Sequence, residues 1–87
     1  MESIEKRARV FKALGEPARL RIVEYLLKEG SCRCICEIAD LIGRDQSVAF
    51  RHIGILRDAG LIETEKKGHF LMCRIEEPYK IKELIEV

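Results

Sequence analysis

No apolar run in this 87-residue chain is long enough to span a membrane, and the opening segment MESIEKRARVF holds no apolar signal-peptide stretch. A cytoplasmic protein with no membrane partner is the expectation. An excess of one charge is also missing. With 16 Lys and Arg against 15 Asp and Glu, composition argues against a general polyanion binder and leaves room for a local basic surface. There is no internal repeat, low-complexity tract or interdomain linker, so one domain over residues 1–87 is expected. Catalytic signatures are absent too. No His, Cys and carboxylate set has nucleophile–base spacing, and no glycine-rich phosphate loop occurs, so no enzyme is expected. Apolar residues make up 47% of the chain, ordinary for a globular protein, which argues against disorder. A chain this short buries only roughly 60–65% of its unfolded surface, and association with a second copy is a common remedy.

The information in the chain concentrates in residues 45–60, DQSVAFRHIGILRDAG. Asp45 suits an N-cap, because its carboxylate can accept from a free N–H of the first turn. Val48, Ile53 and Leu56 recur on one face at helical spacing, with Ala49 and Ala59 close by. Gly60 suits the left-handed position that ends a helix. The opposite face carries Gln46, Ser47, Arg51 and His52, donors near a helix N-terminus of the kind that contact phosphates and base edges. Residues 34–42 read as a preceding helix, with Gly43 in the turn. Spacing and composition together give a helix-turn-helix.

Upstream, residues 3–14 form a helix with Ser3 as its cap, and Pro17 opens a second helix that Gly30 stops. Residues 31–33 form a short connector. After Gly60 the period changes to two. Residues 61–65 and 70–75 read as strands, with Lys66, Lys67, Gly68 and His69 as the turn. Pro78 opens a last helix with Ile81, Leu84 and Ile85 apolar. The fold class expected is mainly α with a small β-hairpin, a winged helix-turn-helix. Ile4, Phe11 and Leu14 on the first helix, with Ile81, Leu84 and Ile85 on the last, form stripes suited to a homodimer interface or to the monomer's own core.

Three of the four cysteines cluster at Cys32, Cys34 and Cys36, with Cys73 apart. In a reducing compartment such clustering favours metal or redox chemistry over a disulfide scaffold. Residues two apart on a helix point to different sides, but a non-helical lead-in through Cys34 brings sulfurs together. Soft ligands select ions such as Zn(II), Cd(II), Cu(I) and As(III). The plain alternative is that these are small buried apolar residues, Cys36 above all. Cys73 shares a strand face with Leu71 and Ile75, and lies near Cys32 if the connector pairs with the hairpin.

With these pieces in place, the chain resembles the ArsR/SmtB family of winged-helix regulators along nearly its whole length. The segment from Ala13 to Ile22, ALGEPARLRI, is similar to that family's opening pattern. Cys34-Ile35-Cys36-Glu37-Ile38 is similar to its metal box. The segments from Asp45 to Ile53 and from Leu56 to Ile62 are similar to its recognition-helix and exit patterns. The resemblance implies a homodimeric repressor, built through its first and last helices, that binds a pseudo-palindromic operator and leaves it when a soft metal or another signal arrives. It also marks departures. Phe50 and Gly54 replace polar residues, which shifts base preference. Ala39 stands where an arsenic sensor of the family has a third thiol. No cysteine precedes Cys32, and residues 76–87 hold no histidine for a zinc site.

The candidate DNA-contacting residues are therefore Arg44, Gln46, Ser47, Phe50, Arg51, His52, Lys66, Lys67 and His69. Arg51 and Gln46 match guanine and adenine edges, and Phe50 can touch a thymine methyl. His52 reads two ways, as a phosphate contact or as a ring satisfied internally. Lys66, Lys67 and His69 read as backbone contacts from the wing, or as a solvated turn guarding a hairpin edge. The candidate metal ligands are Cys32, Cys34 and Cys36, for Zn, Cd, Cu or As. The partner expected is double-stranded operator DNA. A redox-responsive or ligand-independent regulator, or a winged helix that binds another protein, are the other readings.

Overall fold

The computed structural model describes residues 3–85. In chain order these form α1 (Ile4–Leu14), α2 (Pro17–Glu29), β1 (Arg33–Cys34), α3 (Ile35–Ile42), α4 (Gln46–Asp58), β2 (Ile62–Lys67), β3 (Phe70–Ile75) and α5 (Pro78–Ile85). Each early boundary has a chemical cause. Ser3 caps α1 by accepting from Lys6 N–H at 3.1 Å. Glu16 caps α2 by accepting from Arg19 N–H at 3.1 Å, one residue before Pro17, whose missing N–H costs nothing at that position.

Two glycines redirect the chain around the helix-turn-helix. At the end of α3, Gly43 takes φ +66°, Arg44 N–H reaches back to Ala39 C=O at 3.1 Å, and Gly43 N–H reaches Asp40 C=O at 3.2 Å. At the end of α4, Gly60 takes φ +80°, Leu61 N–H reaches Leu56 C=O at 3.0 Å, and Gly60 N–H reaches Arg57 C=O at 2.9 Å. Both are paired 6→1 and 5→2 closures, which satisfy orphan carbonyls and need a left-handed residue. The first sends the chain straight into the Asp45 cap of α4. The second seats Leu61 in the core and launches the wing.

The sheet has three antiparallel strands in the order β1-β3-β2. Arg33, the last residue of the connector expected at 31–33, and Cys34, expected to open the next helix, form a third strand, with Arg33 opposite Cys73 and Cys34 opposite Met72. The hairpin is longer than its apolar pattern suggested. Lys67 pairs with Phe70, so Lys66 and Lys67 belong to β2 and only Gly68 and His69 form the turn. Two-residue loops match the twist of paired strands, which extends the ladder past the point where alternation ends.

The core is wholly apolar among the described residues. Ile22, Val23, Leu26, Ile38, Ile53, Leu56, Ile62 and Cys73 are its most buried members. Leu14 and Ile81 join it and half-buried Ile85 packs against it, so three of the six stripe residues serve the monomer's own core. Ile4, Phe11 and Leu84 stay exposed. No helix among the described residues is long and apolar enough to cross a membrane.

Candidate nucleic-acid interface

Burial of Val48, Ala49, Ile53 and Leu56 fixes which side of α4 faces the core. Gln46, Ser47, Phe50 and Arg51 then all face solvent. They fall into two stacked i,i+4 pairs, 46 with 50 and 47 with 51, on the first two turns. The Asp45 carboxylate accepts from Val48 N–H at 3.1 Å and from the Ser47 hydroxyl at 2.6 Å. Ser47, then the Val48 amide, holds the Asp45 carboxyl below its usual range. The Ser47 proton is directed inward, so its oxygen meets the outside as an acceptor or through a rotated hydroxyl. Phe50 is 55% exposed, as are Phe11 and Phe70 at 59% each.

Arg44, Arg51 and Lys66 make no ion pair among the described residues. Lys67 Nζ lies 3.8 Å from Glu65, Arg57 lies 3.8 Å from Asp58, and Arg74 is paired with Glu63. Arg44, Arg51 and Lys66 thus leave free positive charge at the turn before α4, on its exposed face and on the hairpin, as Arg7, Arg9, Lys12, Arg21, Lys28 and Lys82 do elsewhere. Lys66, Lys67 and His69 are all exposed. Phosphate contacts from such flanking elements set register on a duplex.

His52 is placed differently. It is half-buried, and its Nδ1 receives a hydrogen bond from Arg19 Nη1 at 3.2 Å, with Glu16 Oε2 4.0 Å away. Burial, aided by Arg19, Arg51 and Arg44 and opposed by Glu16, holds its pKa below the ordinary value. Arg19 and Glu16 escaped sequence reading. The only signal was an acidic residue three before Arg19 at a helix start.

The cysteines divide. Cys34 is the N-cap of α3, and its sulfur accepts from Cys36 N–H at 3.2 Å. Its extended backbone, continuous with β1, turns its side chain back over the first helical turn, and the Cys34 and Cys36 sulfurs are paired. Cys32 is a free, half-buried thiol, and Cys73 is a free, fully buried one. Burial, with a smaller push from nearby Cys32, raises the Cys73 thiol to about 11. Among the described residues no group of three or more His, Cys, Asp or Glu is arranged to hold a metal ion.

The helix pair α3–α4 and the following β-hairpin have counterparts in known proteins. Residues 16–64 match the family described as bacterial regulatory protein, arsR family. The chain belongs to that family. It is 37% identical over 87 residues to an uncharacterized HTH-type transcriptional regulator from Methanocaldococcus jannaschii, covering 100% of this chain and 96% of that protein. It is also 37% identical over 67 residues to the arsenical resistance operon repressor of Bacillus subtilis, covering 77% of this chain and 63% of the repressor. Among solved structures, it is similar to the homodimeric winged helix-turn-helix DNA-binding domain of a possible ArsR-family regulator from Mycobacterium bovis. That match has a TM-score of 0.81 and 28% identity over 93% of this chain and 72% of that one. As an arsR-family member the protein is a winged helix-turn-helix transcriptional regulator and not an enzyme.

Proposed function

We propose that the protein is a homodimeric repressor that reads a pseudo-palindromic operator with α4 and grips the flanking backbone with its wing. The observation that carries this reading is the exposed quartet Gln46, Ser47, Phe50 and Arg51 on the first two turns of α4, beside the unpaired charges of Arg44 and Lys66. Arg51 and Gln46 supply bidentate donors for base edges, and Phe50 supplies an apolar contact for a thymine methyl. Arg44, Lys66, Lys67 and His69 supply phosphate contacts. His52, occupied by Arg19, acts from behind the reading face.

Dimerisation is supported by Phe11 on α1 and Leu84 on α5, which line one open cavity of about 420 Å³ with Arg7, Val10, Lys80 and Glu83. A second copy bringing the same surface would cover Phe11, Leu84 and the neighbouring Ile4. A solution mass of two chains at micromolar concentration is expected, and Phe11→Asp should shift it to one. A wild-type mass of one chain across that range overturns the dimer.

Release of DNA is assigned to chemistry at the thiols. For a thiophilic metal or metalloid (Zn, Cd, Cu or As) the described residues of one chain bring together the Cys34 and Cys36 sulfurs, and a group from Cys32 or from a second copy would be needed to close the site. The closeness of the Cys34 and Cys36 sulfurs supports a redox reading as well as a metal one. Two thiols become one disulfide, giving two electrons and two protons to an oxidant such as a peroxide, which leaves as water.

Fluorescence anisotropy of the reduced protein on a duplex from upstream of its own gene tests the whole reading. Saturable, salt-sensitive binding that weakens on oxidation is expected. Failure to bind that duplex or any from a random-sequence pool overturns it and points to a protein partner.

A further inference from the structure

Arg19, on the first turn of α2, is bonded to three parts of the molecule. Its backbone N–H donates to the Glu16 cap at 3.1 Å, its Nε donates to Ala13 C=O at the end of α1 at 2.7 Å, and its Nη1 donates to His52 Nδ1 on α4 at 3.2 Å. A guanidinium has donors only, so Nδ1 must be the acceptor. The His52 ring is therefore neutral, with its proton on Nε2.

The reading end of α4 has little apolar hold. Its first turn buries Val48 and Ala49, and the larger anchors Ile53 and Leu56 come later along the helix. His52 lies one turn beyond Val48, between the reading face and those anchors. We infer that Arg19 and His52 are a positioning pair, a strut that sets the pose of α4 against the α1–α2 corner and so tunes DNA affinity without Arg19 touching DNA. This rests on α4 being the DNA reader.

The strut opens on protonation. A proton on Nδ1 removes the acceptor and places an imidazolium beside Arg19. Arg51 on α4 and Arg44 in the preceding turn add charge of the same sign, and Glu16 alone opposes them. Affinity through this route falls as pH drops.

The test uses a duplex that the wild-type protein selects from a random-sequence pool, titrated by anisotropy between about pH 5 and 8. All proteins carry His69→Asn, which leaves position 52 as the one place where a histidine can stand. Arg19→Met is expected to weaken binding about ten-fold at the upper pH and to flatten the pH profile. His52→Phe should match it. His52→Asn, whose Oδ1 replaces Nδ1 as acceptor, should recover most of the loss and stay flat. If Arg19→Met does not fold, the two His52 variants carry the same comparison. Unchanged affinity and an unchanged profile in Arg19→Met or His52→Phe, with Arg51→Ala weakened on the same duplex, overturn the strut alone. A wild type that selects no duplex overturns the DNA reading and the strut with it.

Discussion

Cys34 stands opposite Met72 in the β1–β3 ladder, and the same residue caps α3. One residue thus belongs both to the cap of α3 and to the ladder with β3, the second strand of the wing hairpin. On the proposed function, chemistry at its sulfur would bear on α3 and β3 together. A switch needs only a modest difference between states, typically about 1–3 kcal/mol of coupling.

Cys34→Ser should separate capping from redox chemistry. A serine oxygen is the better acceptor for the Cys36 amide, so the variant should melt no lower than the reduced wild type. Its DNA affinity should not respond to peroxide, whereas that of the wild type should fall. A variant that still loses affinity on oxidation moves the switch away from the Cys34–Cys36 pair.

Thiol reactivity should rank by environment. In the fully reduced protein near pH 8, an alkylating reagent should label half-exposed Cys32 well ahead of Cys73, which is buried and raised to about 11. Mass spectrometry over a time course reads the order. Equal labelling rates would mean that β3 opens readily.

Gly54 lies inside α4, where glycine is a poor helix former, and an added Cβ would meet only Arg57 Nη2 at 3.8 Å, an ordinary contact. Gly54→Ala should therefore stabilise the fold by about 0.5–1 kcal/mol and raise the melting temperature by a few degrees. If DNA affinity drops in this more stable protein, the bare backbone at Gly54 is where the duplex comes closest. An unchanged or lower melting temperature contradicts the open space seen there.

His52 gives stability a pH dependence of known sign. Its pKa is lower in the folded protein, so below the ordinary imidazole value the unfolded chain takes up a proton that the folded chain does not. The melting temperature should decline as pH falls through that value, and the decline should be smaller in His52→Asn. The same decline in both proteins would assign it to other groups.

The fold was legible because its punctuation is local. Ser3, Pro17, Gly30, Asp45, Gly60 and Pro78 mark element ends by chemistry that acts within a few residues. The apolar face of α4 followed from helical spacing alone. What depended on distant pairing was less visible. The two residues Arg33 and Cys34 form a strand only because Cys73 and Met72 lie opposite, and Lys66 and Lys67 extend β2 only because β3 continues past them. Arg19 meets His52 across 33 positions, so neither the strut nor the burial of that ring could be read from spacing. In the stripes proposed for dimerisation, Leu14 and Ile81 carry the same helical period as Phe11 and Leu84. Only packing divides the core pair from the exposed pair.

The claim at the centre of this account is that the exposed face of α4 reads bases. The most direct measurement is the affinity of Arg51→Ala, relative to wild type, for the selected duplex and for duplexes with single base changes. Loss of about 1–3 kcal/mol, roughly 5- to 150-fold, with relaxed discrimination at one base pair is the result predicted. Wild-type affinity and discrimination in a folded Arg51→Ala protein would contradict it.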